Sequence, residues 1–164
     1  MFLCIVELIE NSTSQQKKSE ESEDFIASVK SYLKSARTLK IHPPPLDTRI
    51  KRVPFAGHYG GCSQHFLQCI SPLKNPSGPV KRKMVFPQPD MNPTVPSSPG
   101  EPGLIFASRH EILEDPPWTL FVKCIPKMTV WTYMGEYESV ICGRLEAEKF
   151  RALSDKVRKS VFVQ

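Results

Sequence analysis

The sequence predicts an α+β domain: a small, curved antiparallel β-sheet with C-terminal helices, preceded by a partly disordered N-terminal tail. Three observations predict it. Trp118–Ile141 holds two β-branched, apolar runs around a short breaker; Leu145–Val161 repeats its apolar residues at helical spacing; Asn11–Glu23 is a polar stretch of Ser, Gln, Lys and Glu. At 164 residues there is room for one domain plus appendages. The division suggested is a tail over 1–50 with one helix at about 20–39, then a domain over 51–164 carrying a Pro-rich loop at 87–103.

In chain order, MFLCIVELIE is apolar but broken by Glu7 and Glu10, and is far too short to span a bilayer. It reads as a short strand or helix that docks, or as a ragged start. Asn11–Glu23 lacks the apolar area needed to offset ordering entropy. Phe25, Val29, Leu33 and Ala36 then fall on one helical stripe. Ser22, Glu23 and Asp24 suit its start, Lys34, Arg37 and Lys40 its end, and Pro43–Pro45 stops it.

Arg49, Lys51 and Arg52 form one basic run, and Lys81, Arg82 and Lys83 a second. Both read as solvated charge or as phosphate contacts. Phe55–Gly61 mixes three glycines with aromatic residues and reads as turn-rich; it lacks the ending of a phosphate loop. His58, Cys62, His65 and Cys69 follow within twelve residues. They are weak zinc candidates, because structural zinc sites draw two ligand pairs from separate turns. Ordinary thiols and imidazoles are the plainer reading, so no metal and no cofactor is assigned.

Gln68–Leu73 and Met84–Phe86 are strand candidates. Six prolines between Pro87 and Gly103 imply an extended, polyproline-like connector. Leu104–Ser108 is a short buried strand candidate, and Arg109–Glu114 one helical turn before Asp115-Pro116-Pro117. Thr119–Ile125 and Thr129–Ile141 then make an antiparallel hairpin. Strand alternation puts Trp131, Tyr133 and Tyr137 on one face and Thr132, Met134, Glu136 and Glu138 on the other. Gly135 marks a bulge or a close backbone approach. The aromatic face is either core or a stacking platform for a base or peptide. Phe150, Leu153, Val157 and Val161 predict two short helices or one kinked at Ser154-Asp155.

Five scattered cysteines without a signal peptide favour reduced thiols and an intracellular place, nuclear or cytoplasmic. No membrane partner is indicated. A net charge of +5 is compatible with an acidic partner.

The segments Tyr59-Gly60-Gly61, Pro99–Phe106, Pro117–Val122, Trp131–Tyr137 and Leu145–Val161 together resemble an uncharacterised fungal family common in mushroom-forming basidiomycetes, domain of unknown function 6697. The resemblance runs over Phe55–Val163, about two thirds of the chain. It implies one domain and a fungal origin, and no activity or catalytic residue. A fainter likeness links the hairpin to barrels of the PUA and SRA type, which makes a partial barrel an alternative form of the sheet.

Function divides three ways. The first is a non-enzymatic binding module, for which nucleic acid is one ligand: Trp131, Tyr133 or Tyr137 would stack on a base, and Arg49, Lys51, Arg52, Lys81, Arg82 and Lys83 would meet phosphates. The second is a protein–protein interaction domain that uses the Pro-rich loop or the N-terminal helix. Third and weakest is an enzyme, since no nucleophile elbow, metal motif or phosphate loop organises the available His, Cys, Asp and Glu. No catalytic residue is assigned.

Overall fold

In this computed structural model the described residues are 2–8, 30–33, 36–42, 47–75, 81–92, 94–106, 110–114, 117–123, 128–145, 147–153, 155 and 158. They form seven strands: β1 (Phe2–Leu8), β2 (Arg49–Lys51), β3 (Leu67–Ile70), β4 (Arg82–Val85), β5 (Gly103–Phe106), β6 (Trp118–Val122) and β7 (Val130–Leu145). Two short helices, α1 (Arg52–Tyr59) and α2 (Ala147–Ala152), accompany them. The strand order is β3-β4-β6-β7-β1-β5, with β2 also paired to β7.

The hairpin is present. Strand β6 runs antiparallel to β7, with Trp118 opposite Tyr137 and Val122 opposite Thr132. The sheet as a whole is mixed, however, and not antiparallel. β1 lies parallel to both β5 and β7, and β4 parallel to β6. The physical reason is connectivity: β1 enters from far upstream and β5 intervenes in sequence between β4 and β6, so tight hairpin turns do not set these directions. Nor does the sheet close into a partial barrel, because β3 and β5 end the strand order without pairing with each other.

Strand β6 is buried at all five positions, so it has core on both faces. On one side, Trp118, Leu120 and Val122 pack with Val85, Ile105, Ile112, Met134 and Tyr137. On the other, Phe121 packs with Ile70, Met84, Phe86 and Trp131, and with the partly buried Ile50, Phe55, Tyr59 and Tyr133. The shared face expected for Trp131, Tyr133 and Tyr137 is therefore corrected. Leu120 pairs with Gly135 but Phe121 pairs with Tyr133, so Met134 is an extra residue in β7. Gly135 has φ of 118°, a conformation other residues rarely adopt. One extra residue reverses the alternation beyond it. Tyr137 and Met134 thus fall on one face, and Trp131, Tyr133 and Glu136 on the other.

Other expectations are also revised. Phe55–Tyr59 is helical, part of α1, in place of a run of turns. Pro54 sits in the first turn, where its missing N–H costs nothing. Phe55 and Tyr59, four residues apart, meet with ring centroids 4.7 Å apart. Gly60, at φ 84°, ends the helix by donating its N–H to the Ala56 carbonyl. Of the C-terminal pair of helices, the described residues hold α2 and, beyond it, Asp155 and Arg158, both helical. Of the helix expected over 20–39, residues 20–29 lie outside the described residues; Ser31–Leu33 is a 3-10 turn and 36–41 has no helix. Leu39 there donates its N–H to the Gly100 carbonyl at 3.0 Å. Cys142 is disulfide-bonded, which departs from the expected set of reduced thiols, while Cys62 and Cys69 are free.

The Pro-rich segment is no extended connector. It folds through turns onto β5. Asn92 is wholly buried and its Oδ1 accepts the Phe106 N–H at 3.0 Å. Leu104 donates its N–H to the Thr94 carbonyl at 3.0 Å. Gly103 packs so closely on Pro96 that a Cβ would lie 2.2 Å from the ring. The Glu101 carboxylate accepts from the Ser97 hydroxyl at 2.6 Å and from the N–H groups of Ser97 and Ser98 at 2.9 and 3.1 Å. These bonds, led by that of the Ser97 hydroxyl, hold its pKa below the ordinary value. The Glu101 carbonyl in turn accepts the Tyr137 phenol at 2.9 Å.

Two outcomes are expected. Gly135→Val should destabilise the protein by about 1–3 kcal/mol in chemical denaturation, because a β-branched residue resists positive φ. Glu101 contributes stability that is present above the ordinary carboxylate pKa of 4.5 and lost as pH falls below it. Glu101→Gln should therefore flatten the acid limb of the stability profile, and an unchanged limb would remove the loop-capping role.

Candidate functional site

An open cavity of about 370 Å³ lies on the Phe121 face of the sheet. Its apolar wall comes from Phe55 and Tyr59 of α1, Phe121 of β6, Tyr133 of β7, Ile50, Ile70 and Met84. The rings form a connected set, with Phe55–Phe121 centroids 6.3 Å apart and Phe121–Tyr133 centroids 5.6 Å apart. Helix α1 is placed by its junction: it follows β2 directly, and β2 is paired to the start of β7. Thr48 reinforces that edge by accepting the Tyr133 N–H at 2.9 Å.

The polar wall is one hydrogen-bonded array. Arg82 pairs with Glu136 at 2.7 Å and donates its Nε–H to Thr119 Oγ1 at 3.0 Å. Thr119 in turn donates to the Glu136 carboxylate at 2.9 Å, and the Tyr133 phenol donates to Glu136 Oε1 at 3.2 Å. Burial first, and then the Glu136 charge, raises the Tyr133 pKa. Tyr133 therefore stays a donor through the neutral range. Three donors thus converge on Glu136, beside the ring faces of the apolar wall.

Behind the cavity sits Arg52. It is 8% exposed, although sequence placed it with the phosphate contacts. Its guanidinium lies 4.1 Å from the Phe86 ring centroid and 5.3 Å from that of Trp131, a cation–π sandwich. Its Nη2 donates to the carbonyls of Cys62 and His65, which pins the loop after α1. Burial lowers its pKa to about 10, with Cys62 acting in the opposite sense.

The remaining sequence candidates are dispersed. Arg49 is exposed and paired with Asp47 at 2.8 Å. Lys51 and Lys81 are exposed, while Arg82 lines the cavity. Lys83 is buried, donates to the Glu114 carbonyl at 2.9 Å and lies over the Trp118 ring. Of the three ring candidates, Tyr133 lines the cavity, whereas Trp131 and Tyr137 are buried in opposite cores. His58 and His65 are exposed, Cys62 is half-buried and Cys69 is exposed on β3. Among the described residues no three His, Cys, Asp or Glu side chains gather to hold a metal. No helix among them is long and apolar enough to cross a membrane.

Sequence reasoning missed Phe55, Tyr59, Phe121, Thr119 and Glu136 as one site. The available signal was the four-residue spacing of Phe55 and Tyr59, masked by Pro54 and Gly57. Glu136 was assigned to the far face because the bulge was not carried into the alternation.

Arg52→Ala should cost about 2–4 kcal/mol in denaturant unfolding, since it strands two carbonyls and vacates a ring-lined space. A loss under 1 kcal/mol would mean that water replaces the guanidinium freely.

No curated protein and no solved structure matches the chain. The family profile described as a domain of unknown function, DUF6697, matches residues 49–163, which takes in β2 through β7, α1, α2 and the whole lining of the cavity apart from Thr48. The chain belongs to the DUF6697 family.

Proposed function

We propose that this domain is a non-enzymatic binding module whose cavity takes a flat, unsaturated ring, and that the ring is a base of a single-stranded nucleic acid. The observation that carries the reading is the pairing of an aromatic wall with one guanidinium, Arg82, in a cavity large enough for a base. Planar ligands stack on Tyr and Phe faces whatever their sequence, and a guanidinium hydrogen-bonds base edges or phosphate. Charge outside the cavity supports the choice of a polyanion. Lys51, Lys74 and Lys81 are exposed, and each adjoins a lining residue: Ile50, Asn75 and Arg82 respectively. A backbone crossing the cavity mouth would meet them in turn.

On this reading Tyr133 is the stacking residue, while Trp131 and Tyr137 hold the frame. Arg49, Lys51, Lys81 and Arg82 remain as phosphate or base-edge contacts. Arg52 and Lys83 serve the core. The Pro-rich loop is a weak docking element because Asn92, Thr94 and Pro96 are buried within it.

The test is fluorescence polarisation with labelled single-stranded RNA and DNA of mixed sequence. Affinity should fall steeply between about 50 and 200 mM salt. Tyr133→Ala should weaken binding about ten-fold or more, in line with roughly 1–3 kcal/mol per stacked base. Lys51→Glu with Lys81→Glu should weaken all sequences alike and flatten the salt slope. Absence of binding at the lower salt concentration by the folded wild-type chain would sink the nucleic-acid reading.

A further inference from the structure

The family match begins at residue 49, yet the sheet is completed from outside it. β1 occupies an interior position, between β7 and β5. Its backbone is in register with four residues of β5, from Leu3 opposite Gly103 to Val6 opposite Phe106. It is also in register with β7, from Phe2 opposite Glu138 to Leu8 opposite Leu145, with one shift between Ile5 and Val6. β5 is fully buried, and among the described residues β1 is its one strand partner. The family domain taken alone thus has a slot one strand wide, walled by two edges that both call for a parallel neighbour. An empty slot would leave two rows of backbone donors and acceptors unpaired beside a buried core.

The occupant has the sequence such a slot requires. FLCIVEL carries a single charge, at Glu7, and the continuous apolar run of a strand covered on both faces. Its connection to the rest is long. Between Leu8 and Leu39, the first described residue downstream seen bonded to the Pro-rich loop, lie thirty residues. At roughly 3.3–3.6 Å per residue they can span on the order of 100 Å, more than a domain diameter. Fully extended, that length reaches the slot of a second copy as well as that of its own chain. A strand that is interior, apolar and tethered by a long polar connection is exchangeable between identical copies at little cost in contacts, because every bond made within one chain is remade between two.

We propose that the slot between β5 and β7 is a strand-acceptor site that takes Phe2–Leu8 of a second copy of this chain, giving a two-fold, strand-exchanged dimer at raised concentration. The local concentration of the chain's own strand favours the monomer when dilute; crowding of copies shifts the balance. Each slot is filled in both states, so exchange leaves no edge unpaired that the monomer pairs.

The test uses the full chain under a thiol reductant, so that the Cys142 disulfide neither traps nor scrambles the products. Light scattering after size exclusion should show the mass shift from one chain towards two as concentration rises. Light and ¹⁵N-labelled copies carrying a photo-cross-linking phenylalanine at Phe2 are then mixed one to one, unfolded, refolded together and irradiated. In the dimer fraction about half of the cross-links between the β1 and β7 peptides should join a light to a heavy chain, as statistical exchange requires. In the monomer fraction none should. A dimer whose cross-links are all of one isotope is an ordinary surface dimer and overturns the proposal, as does a chain that stays monomeric at every concentration. If the cross-linker at Phe2 prevents folding, Ile5→Pro serves instead. It removes a ladder N–H from β1, and it should abolish the dimer of the otherwise unmodified chain; a dimer that survives Ile5→Pro also overturns the proposal.

Discussion

One extra residue in β7 decides which core each aromatic side chain of that strand joins. Without Met134 as an insertion opposite β6, alternation would carry Trp131, Tyr133 and Tyr137 to a single face and leave Glu136 on the other. With it, Tyr133 and Glu136 share the cavity face, and Tyr137 joins Trp118 in the opposite core. Gly135 makes this affordable because its φ of 118° is open to glycine and costly for other residues. The polar array follows from the same step: Arg82, Thr119 and Tyr133 converge on a carboxylate that unbroken alternation would have placed behind the sheet.

The two cores have different tasks. The core around Trp118 and Tyr137 is closed, and it anchors the Pro-rich segment through the bond from the Tyr137 phenol to the Glu101 carbonyl. The core around Phe121 is covered by a short helix and remains open at one side, where the cavity forms. A helix of eight residues is marginal by itself and depends on what it packs against. Here the packing is aromatic: Phe55 lies 6.5 Å from Phe86 and 6.3 Å from Phe121. Arg52, at the first position of the same helix, adds a charge whose burial is compensated by two carbonyls and two ring faces. The rings that line the cavity thus rest on buried rings and the Arg52 guanidinium beneath them.

Strands were legible in the sequence where an apolar run was short and bounded by breakers: Gln68–Leu73, Met84–Phe86 and Leu104–Ser108 were read where Leu67–Ile70, Arg82–Val85 and Gly103–Phe106 stand, and the hairpin with them. Their directions were not. Parallel pairing of β4 with β6 brings together segments more than thirty residues apart, and no local pattern reports it. Helix α1 was hidden by Pro54 and Gly57, whose usual meaning is a break; tertiary contacts of Phe55 and Tyr59 override that propensity. The basic runs were legible as charge but not as place. Lys81, Arg82 and Lys83 are consecutive, yet one is exposed, one lines a cavity and one is buried, because a strand turns successive residues to opposite sides.

That same division underlies the proposed reading of the cavity as a binding site. A general base needs a carboxylate or imidazole free to receive a proton near neutral pH. Glu136 faces a guanidinium, a hydroxyl and a phenol, each of which donates to it. The phenol of Tyr133, with its pKa raised by burial and by that charge, donates and does not attack. What the array offers a ligand is what remains: the spare donors of Arg82 and the faces of Phe55, Tyr59, Phe121 and Tyr133. Donors at one wall and ring faces at another are the features on which the proposed reading, a flat group with acceptors on its edge, rests.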